Sequence, residues 1–236
     1  MSGAARTGGT RPTCALCGAR VRPPFRTPQP EIAPDLDMRP GEPARSTLPN
    51  WLQTCAGCSA VAPDLGVLPA EAKPVVESAE YRALAETVPA EAIPFRRWSL
   101  IRRGLQDPAG EAEALLQAAW ACDDAQAGAE ADALRAAVAQ AWESASGTAA
   151  LLRRLDVLRR SGDWARAEHL VQTLNEQSLD ATAASVVAFQ RARIAARDAG
   201  RHLMSSALPP PAHAPHVSHR RHTPVGFWGR LFRKGT

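Results

Sequence analysis

The chain has 236 residues, of which 45% are hydrophobic, so it is long and apolar enough to bury a core in one or two domains. Its net charge of +4 is uneven: residues 1–60 carry +3, residues 61–200 carry −5 and residues 201–236 carry +6. The acidic middle excludes the basic body that is typical of nucleic-acid-binding proteins. No stretch of about twenty apolar residues predicts a transmembrane helix, and no apolar segment predicts a secretory signal. We therefore expect a cytoplasmic protein.

Two CxxC motifs are the strongest chemical signal in the sequence: Cys14-Ala15-Leu16-Cys17 and Cys55-Ala56-Gly57-Cys58. A CxxC turn brings two thiolates to one metal ion, and two such turns complete a tetrahedral site with the ligands Cys14, Cys17, Cys55 and Cys58. Four protein ligands leave no open coordination position, so we expect a structural Zn²⁺, with iron as the chemical competitor. A redox dithiol, or two unrelated surface pairs, is the alternative interpretation.

The region around these motifs is irregular. Residues 1–12 are small and polar, and we expect a disordered N-terminus. Residues 13–66 are predicted to form a zinc ribbon with a long proline-rich insertion, which runs from Pro23 to Pro49. The aromatic and β-branched content of Trp51 to Thr54 favours a short strand before the second cysteine pair.

Residues 73–204 are predicted to be helical and to contain an internal repeat. Sliding the sequence by 36 residues superposes small or apolar positions in two successive helical hairpins. Ser161-Gly162 predicts a helix end, and Asp163 and Asp107-Pro108 predict helix starts. Residues 180–200 are expected to form a closing helix, and residues 74–104 a degenerate first hairpin. The superposed pairs are Leu115/Leu151, Leu116/Leu152, Ala119/Leu155, Cys122/Leu158, Ala131/Ala167, Leu134/Leu170 and Val138/Leu174.

The string from Gly162 to Ala167 resembles the tetratricopeptide repeat. That resemblance implies a small residue at the end of one helix, an aromatic residue at the start of the next and an alanine that packs the pair. The period of 36 departs from the 34 residues of that family, and Gly128 stands where Trp164 should repeat. The sequence therefore predicts a mainly α fold: a small Cys₄ zinc ribbon, a tetratricopeptide-like repeat of helical hairpins, and disordered termini.

Three further features are not absorbed by this prediction. Cys122 lies on the apolar helix face and is expected to be a buried small hydrophobe. Residues 205–236 form a Pro/His/Arg-rich basic tail that we expect to be disordered. Its histidines, at every third position, allow either a weak metal or pH-responsive site or low-complexity drift. Its last aromatic and basic residues allow either a weak contact with a membrane surface or a solvated end. The residues of these two motifs are His213, His216, His219 and His222, then Phe227, Trp228, Leu231 and Phe232.

No enzyme activity is expected, because the P-loop, GxGxxG, HExxH and GxSxG patterns are absent from the sequence. With the cysteine pairs, the segments from Pro34 to Glu42, from Arg45 to Thr47 and from Ala118 to Asp124 carry a second resemblance. The chain resembles an uncharacterised group of bacterial proteins that join a CxxC…CxxC ribbon to tetratricopeptide-like helices, over residues 14–200. The resemblance implies zinc at the four cysteines and brings no known reaction. Ser59 departs from the glycine common at its position.

We therefore expect a zinc-binding helical-repeat scaffold whose concave face binds an unknown protein or peptide, because stacked hairpins create an extended groove. The alternative is a nucleic-acid-associated zinc-ribbon factor that uses the arginines near the first CxxC motif, which are Arg11, Arg20, Arg22 and Arg26. The acidic body favours the scaffold.

Overall fold

A computed structural model describes residues 12–87 and 89–209 of the chain. It confirms the prediction of a mainly helical fold. Two very short strands form an antiparallel pair, in which Gln53 is paired with Ala62 and Thr54 with Val61. In chain order the elements are β1 (Gln53–Thr54), β2 (Val61–Ala62), α1 (Lys73–Val76), α2 (Ala79–Ala83), α3 (Ile93–Gly104), α4 (Pro108–Asp124), α5 (Gly128–Ala141), α6 (Thr148–Arg160), α7 (Trp164–Asn175) and α8 (Ala181–Ala195).

The helices from α3 onward pack in sequence order, each against the next, and α8 also contacts α6. Two hairpins, α4–α5 and α6–α7, occupy the two halves of the predicted repeat. The residues superposed by the 36-residue offset are all buried or partly buried, and all except Ala119 belong to or pack against one apolar core. Helix α8 lies within the predicted closing segment 180–200. The internal periodicity therefore predicted these five helices.

The turns inside the two hairpins are also 36 residues apart. Gln126 and Gly162 are 36 residues apart, and both adopt the left-handed conformation, with φ of 59° and 73°. Asp163 then caps α7, since its side chain accepts a hydrogen bond from the backbone N–H of Arg166 at 3.2 Å. Asp107 caps α4 in the same way through Gly110, at 2.9 Å. The predicted helix stop and both predicted helix starts are confirmed.

In residues 74–104, where the sequence predicted a degenerate first hairpin, two short helices, α1 and α2, precede the longer α3. Proline explains why the first helices are short, because its ring blocks the preceding helical turn and it has no N–H to donate. Pro74 and Pro94 occupy the first turns of α1 and α3, and Pro89 precedes the 3₁₀ turn Ala90–Ala92. The predicted strand from Trp51 to Thr54 is likewise shorter in the structure and begins at Gln53.

The chain between the two cysteine pairs returns to the helices instead of forming a free finger. We call residues 34–52 the docking segment. The backbone N–H of Leu36 donates to the carbonyl of His202 at 3.1 Å, and that of Met204 donates to the carbonyl of Pro34 at 2.7 Å. Leu36 and Leu48 are buried in the same core as α4–α8. The predicted domain boundaries at residues 13–66 and 73–204 stay a prediction, but the docking segment packs with the helices.

A buried carboxylate fixes this docking. Asp37 is fully buried and accepts hydrogen bonds from Trp120 Nε1 at 2.8 Å and Arg160 Nη1 at 3.1 Å. Burial alone would raise the pKa of Asp37, but the positive charges of Arg160 and Arg135 outweigh burial and lower it. Asp37 is therefore held as a carboxylate between α4 and α6.

The ion pairs continue on both sides of Asp37. Buried Arg39 donates to the Trp120 carbonyl at 3.2 Å and to Asp124 Oδ2 at 2.5 Å. Asp123 accepts from Arg160 Nη2 at 2.7 Å and is also paired with Arg135 of α5. The docking segment, α4, α5 and α6 are thus joined by alternating charges. We call the group of Asp37, Arg39, Asp123, Asp124, Arg135 and Arg160 the buried ion network.

The two ends of the described chain border the regions predicted to be disordered. The 3₁₀ turn Met204–Ala207 overlaps the start of the predicted tail, and Met204 and Ala207 are buried in the helical core. Residues 1–11 and 210–236, with the histidine series, the terminal aromatic residues and Arg11, lie outside the described residues.

Substitutions at the two aligned turn positions, Gly162 and Gln126, should change the free energy of unfolding in opposite directions. Gly162→Ala should lower the free energy of unfolding by about 1 kcal/mol, because an L-residue is strained in the left-handed region. Gln126→Gly should raise it by about 0.5 kcal/mol, because it removes that strain at the cost of a more flexible unfolded chain. Urea denaturation of both variants measures the difference. Equal signs would contradict the equivalence of the two turns.

Removing the charge of Asp37 should be costly. Asp37→Asn leaves Arg160 buried with less compensation, and we expect a loss of about 3 kcal/mol in the free energy of unfolding. The matched control is Glu80→Gln, which removes a carboxylate that pairs with Arg103 on the surface and should cost less than about 1 kcal/mol. Urea denaturation of the two variants decides, and equal losses would show that the buried ion network has no special role.

Candidate metal centre

The four cysteines of the two CxxC motifs lie in one cluster, with all four sulfur atoms within 4.8 Å of one another. The sulfur atoms of Cys14 and Cys58 are 3.8 Å apart, and those of Cys17 and Cys55 are 3.5 Å apart. A tetrahedral site with metal–sulfur bonds of about 2.3 Å requires sulfur–sulfur distances of about 3.8 Å. The cluster therefore has the spacing of a four-thiolate metal site and can hold a metal ion.

The two motifs fold into matching turns. In the first turn, the N–H of Cys14 donates to the carbonyl of Ala19 and the N–H of Gly18 donates to the carbonyl of Cys14, both at 2.8 Å. In the second, Cys55 pairs with Ala60 and Ser59 pairs with Cys55 at the same distances. The equivalent backbone bonds place one cysteine of each pair in the same position relative to its turn.

Three small residues allow the turns to close and to meet. Gly18 and Ser59 both take the left-handed conformation, with φ of 73° and 60°, which glycine accepts and serine adopts under strain. Serine in place of glycine at residue 59 therefore strains the backbone locally but leaves the form of the turn unchanged. A Cβ on Gly57 would lie 2.9 Å from Ala19 and 3.2 Å from the sulfur of Cys17. Gly57 thus permits the close approach of the two turns.

The sulfur environments favour ionisation at Cys55. Burial opposes its thiolate, but the backbone N–H groups of Cys58 and Gly57 outweigh burial and lower the pKa from 9.0 to about 7. Burial raises the pKa of Cys14, and it raises that of Cys58 to about 12. A metal ion replaces the remaining protons, so binding of a metal to this set releases protons.

The metal centre is fastened to the helices through Tyr81, which is the only tyrosine of the chain. Its hydroxyl donates to the carbonyl of Ser59 at 2.9 Å, and its ring is 1% exposed. Cys14, Cys55 and Ile101 of α3 belong to the same apolar cluster. The second turn therefore packs against α2 and α3. No sequence motif predicts this contact.

The remaining candidates from the sequence fall elsewhere. Cys122 is fully buried in the helical core, as predicted, and burial raises its pKa to about 11. Asp123 and Asp124 bind arginines of the buried ion network and not a metal. His202 lies outside the cluster, with its ring nitrogen 2.9 Å from a carboxylate oxygen of Asp198.

The basic residues near the first turn are brought together. Arg20, Arg22 and Arg26 line one cleft with residues 49–56, on the side of the second turn. The sequence indicated the cluster of arginines but not the opposite wall of the cleft, because the residues of that wall are more than twenty residues from Arg26 in the chain.

Comparisons with protein-family models, with curated proteins and with solved structures give no match to this chain. Among the residues that the structure describes, none of the helices has the length and apolar character needed to cross a bilayer.

Loss of one thiolate should abolish the site. Cys17→Ser replaces the most exposed ligand, and we expect the bound metal to fall from one equivalent per chain to below about a tenth, because a hydroxyl is a poor ligand for this soft set. Cys122→Ala is the matched control, since it removes a cysteine outside the cluster and should leave one equivalent bound. Elemental analysis after desalting measures both, and metal retained by Cys17→Ser would contradict a four-thiolate site.

Proposed function

We propose that the chain is a non-catalytic binding scaffold whose N-terminal module is held together by a structural zinc ion. The observation that carries the proposal is the closed cluster of four cysteine sulfurs at tetrahedral spacing. A site with four protein ligands stabilises a fold and leaves no position for a substrate. Zinc is preferred over ferrous iron because nitrogen and sulfur sites bind it more tightly.

The scaffold is the helical body from α3 to α8. The turn of its second hairpin, from Gly162 to Ala167, resembles the tetratricopeptide repeat, and stacked helical hairpins present extended surfaces to proteins and peptides. The buried ion network supports this role, because it ties three helices and the docking segment into one body. A surface that is already ordered costs less conformational entropy when it binds a partner.

Metal removal should affect the chain unevenly. After chelation, the amides of residues 14–21 and 53–62 should lose their protection from hydrogen exchange, because the metal joins two turns with little apolar core of their own. Helices α4–α8 should keep their protection, since they have a separate core. Mass spectrometry of hydrogen exchange, with and without chelator, measures both regions. Unchanged protection in residues 14–21 would contradict a structural role for the metal.

The scaffold itself is tested by capture of partners with the tagged full chain, followed by cross-linking to locate the contact. The expected contact lies on α4–α8 and survives chelation. A partner whose cross-links fall on residues 12–33, and which is lost with the metal, would move the binding function to the zinc module. Capture of no specific protein would contradict the scaffold.

A second candidate function, a nucleic-acid-associated factor, is favoured by one observation. The exposed guanidinium groups of Arg20, Arg22 and Arg26 line the same cleft, and within the described residues none of them lies within 4.0 Å of a carboxylate. Unpaired arginines that share a cleft form an anion-binding surface.

A further inference from the structure

The cleft beside the metal centre has a volume of about 740 Å³. We call it the arginine cleft. One wall is the extended chain from Arg20 to Arg26, and the other is the chain from Pro49 to Ala56, which contains β1. Ala56 lies between two of the metal ligands, so the far wall includes part of the second metal-binding turn.

The charge of the arginine cleft is one-sided. None of its lining residues is acidic, and Arg20, Arg22 and Arg26 are all exposed. The arginines of the buried ion network are instead paired with aspartates, as Arg39 and Arg160 show. Asp64, next to Leu65 of the lining, accepts from the backbone N–H of Gly66 at 2.8 Å, and among the described residues it forms no ion pair with Arg20, Arg22 or Arg26. The three guanidinium groups are therefore available to a ligand.

The arginines are carried on a restrained backbone. Gln53 clamps the two walls together: its side-chain amide donates to the carbonyl of Arg22 at 2.7 Å, and its oxygen accepts from the N–H of Leu65 at 3.2 Å. The N–H of Val21 donates to the carbonyl of Pro12 at 3.0 Å. Two prolines, Pro23 and Pro24, then restrict φ directly before Phe25. This restraint lowers the entropy lost when a ligand binds.

An aromatic ring completes the site. Phe25 lies between two of the cleft's arginines in sequence, lines the cleft and is 40% exposed. Phosphate oxygens accept paired hydrogen bonds from arginine, and an exposed ring offers a stacking surface for a base. A basic groove combined with an aromatic platform is the arrangement by which proteins bind single strands without sequence preference.

We propose that the arginine cleft binds single-stranded nucleic acid, with Arg20, Arg22 and Arg26 on the phosphates and Phe25 stacked against a base. The inference rests on the second candidate function and names its site and ligand class. A double helix fits less well, because its major groove accepts a helix or a two-stranded ribbon and the arginine wall is a single extended segment. An acidic peptide would use the arginines but would leave the ring without a stacking partner.

The test is fluorescence anisotropy of a labelled single-stranded RNA or DNA of about 16 nucleotides with the zinc-loaded full chain. Three phosphate contacts predict a roughly 20-fold loss of affinity between about 50 and 200 mM salt. The triple variant Arg20→Gln, Arg22→Gln and Arg26→Gln should lose most of this salt dependence and most of the binding. Phe25→Ala should weaken binding by roughly tenfold, with an unchanged salt dependence, because it removes stacking and no charge.

The matched control is Arg166→Gln, Arg191→Gln and Arg197→Gln, which removes the same charge from exposed positions of the helical body. It should bind like the unaltered chain. Equal losses in the two triple variants would overturn the site, because they would reflect only net charge. Equal affinity for a duplex, or full competition by polyglutamate, would overturn the ligand class.

The same samples separate this inference from the proposed scaffold. Zinc content and the hydrogen-exchange protection of α4–α8 report on the scaffold and should be unchanged in the cleft variants. A chain that holds zinc but binds no oligonucleotide at low salt would refute the cleft proposal together with the second candidate function, and would leave the scaffold proposal standing. Metal-free chain should lose oligonucleotide binding, since Ala56 of the far wall lies within the second metal-binding turn; retained binding would contradict the proposed walls.

Discussion

The contact between Asp37 and Arg160 determines how the chain between the two cysteine pairs packs on the helices. The carboxylate comes from the chain between the cysteine pairs and the guanidinium from the end of α6. A charge buried to this degree is stable only with its partners in place. The docking segment therefore has one register on the helices, and a shift by one residue would place Leu36 or Met38 in a site built for a carboxylate.

The metal cluster and the buried ion network restrain the same chain in different ways. Between Cys17 and Cys55 the backbone leaves the cluster, packs on the helical core at Leu36 and Leu48, and returns as β1. The cysteine cluster closes this loop at its ends, while the ion network and apolar burial hold its middle. The long spacing of the motifs is thereby explained, since the intervening residues serve the helical body and not the ribbon.

The sequence predicted those features that short-range chemistry determines. The CxxC spacing identified the four clustered cysteines. The 36-residue offset identified the hairpins, because the buried apolar positions of one hairpin recur at the same places in the next. It did not predict that Asp37 would meet Trp120 and Arg160, since Asp37 is more than eighty residues from both and such a separation leaves no periodic signal. The contact of Tyr81 with Ser59 also has no periodic signal in the sequence. The prolines in residues 74–94 shorten the helices before α3 by a local effect that the 36-residue offset does not record.

The position of the arginine cleft follows from these two restraints. Its first wall, from Arg20, leaves the first metal-binding turn, and its second wall, from Pro49, emerges from the docking segment. The cysteine cluster fixes only one end of each wall, and the docking of Leu48 fixes the other end of the second. Gln53 then joins the walls directly. A ligand in the cleft would therefore contact a part of the chain that is held both by the cysteine cluster and by the docking segment, and its binding energy would be coupled to the stability of both.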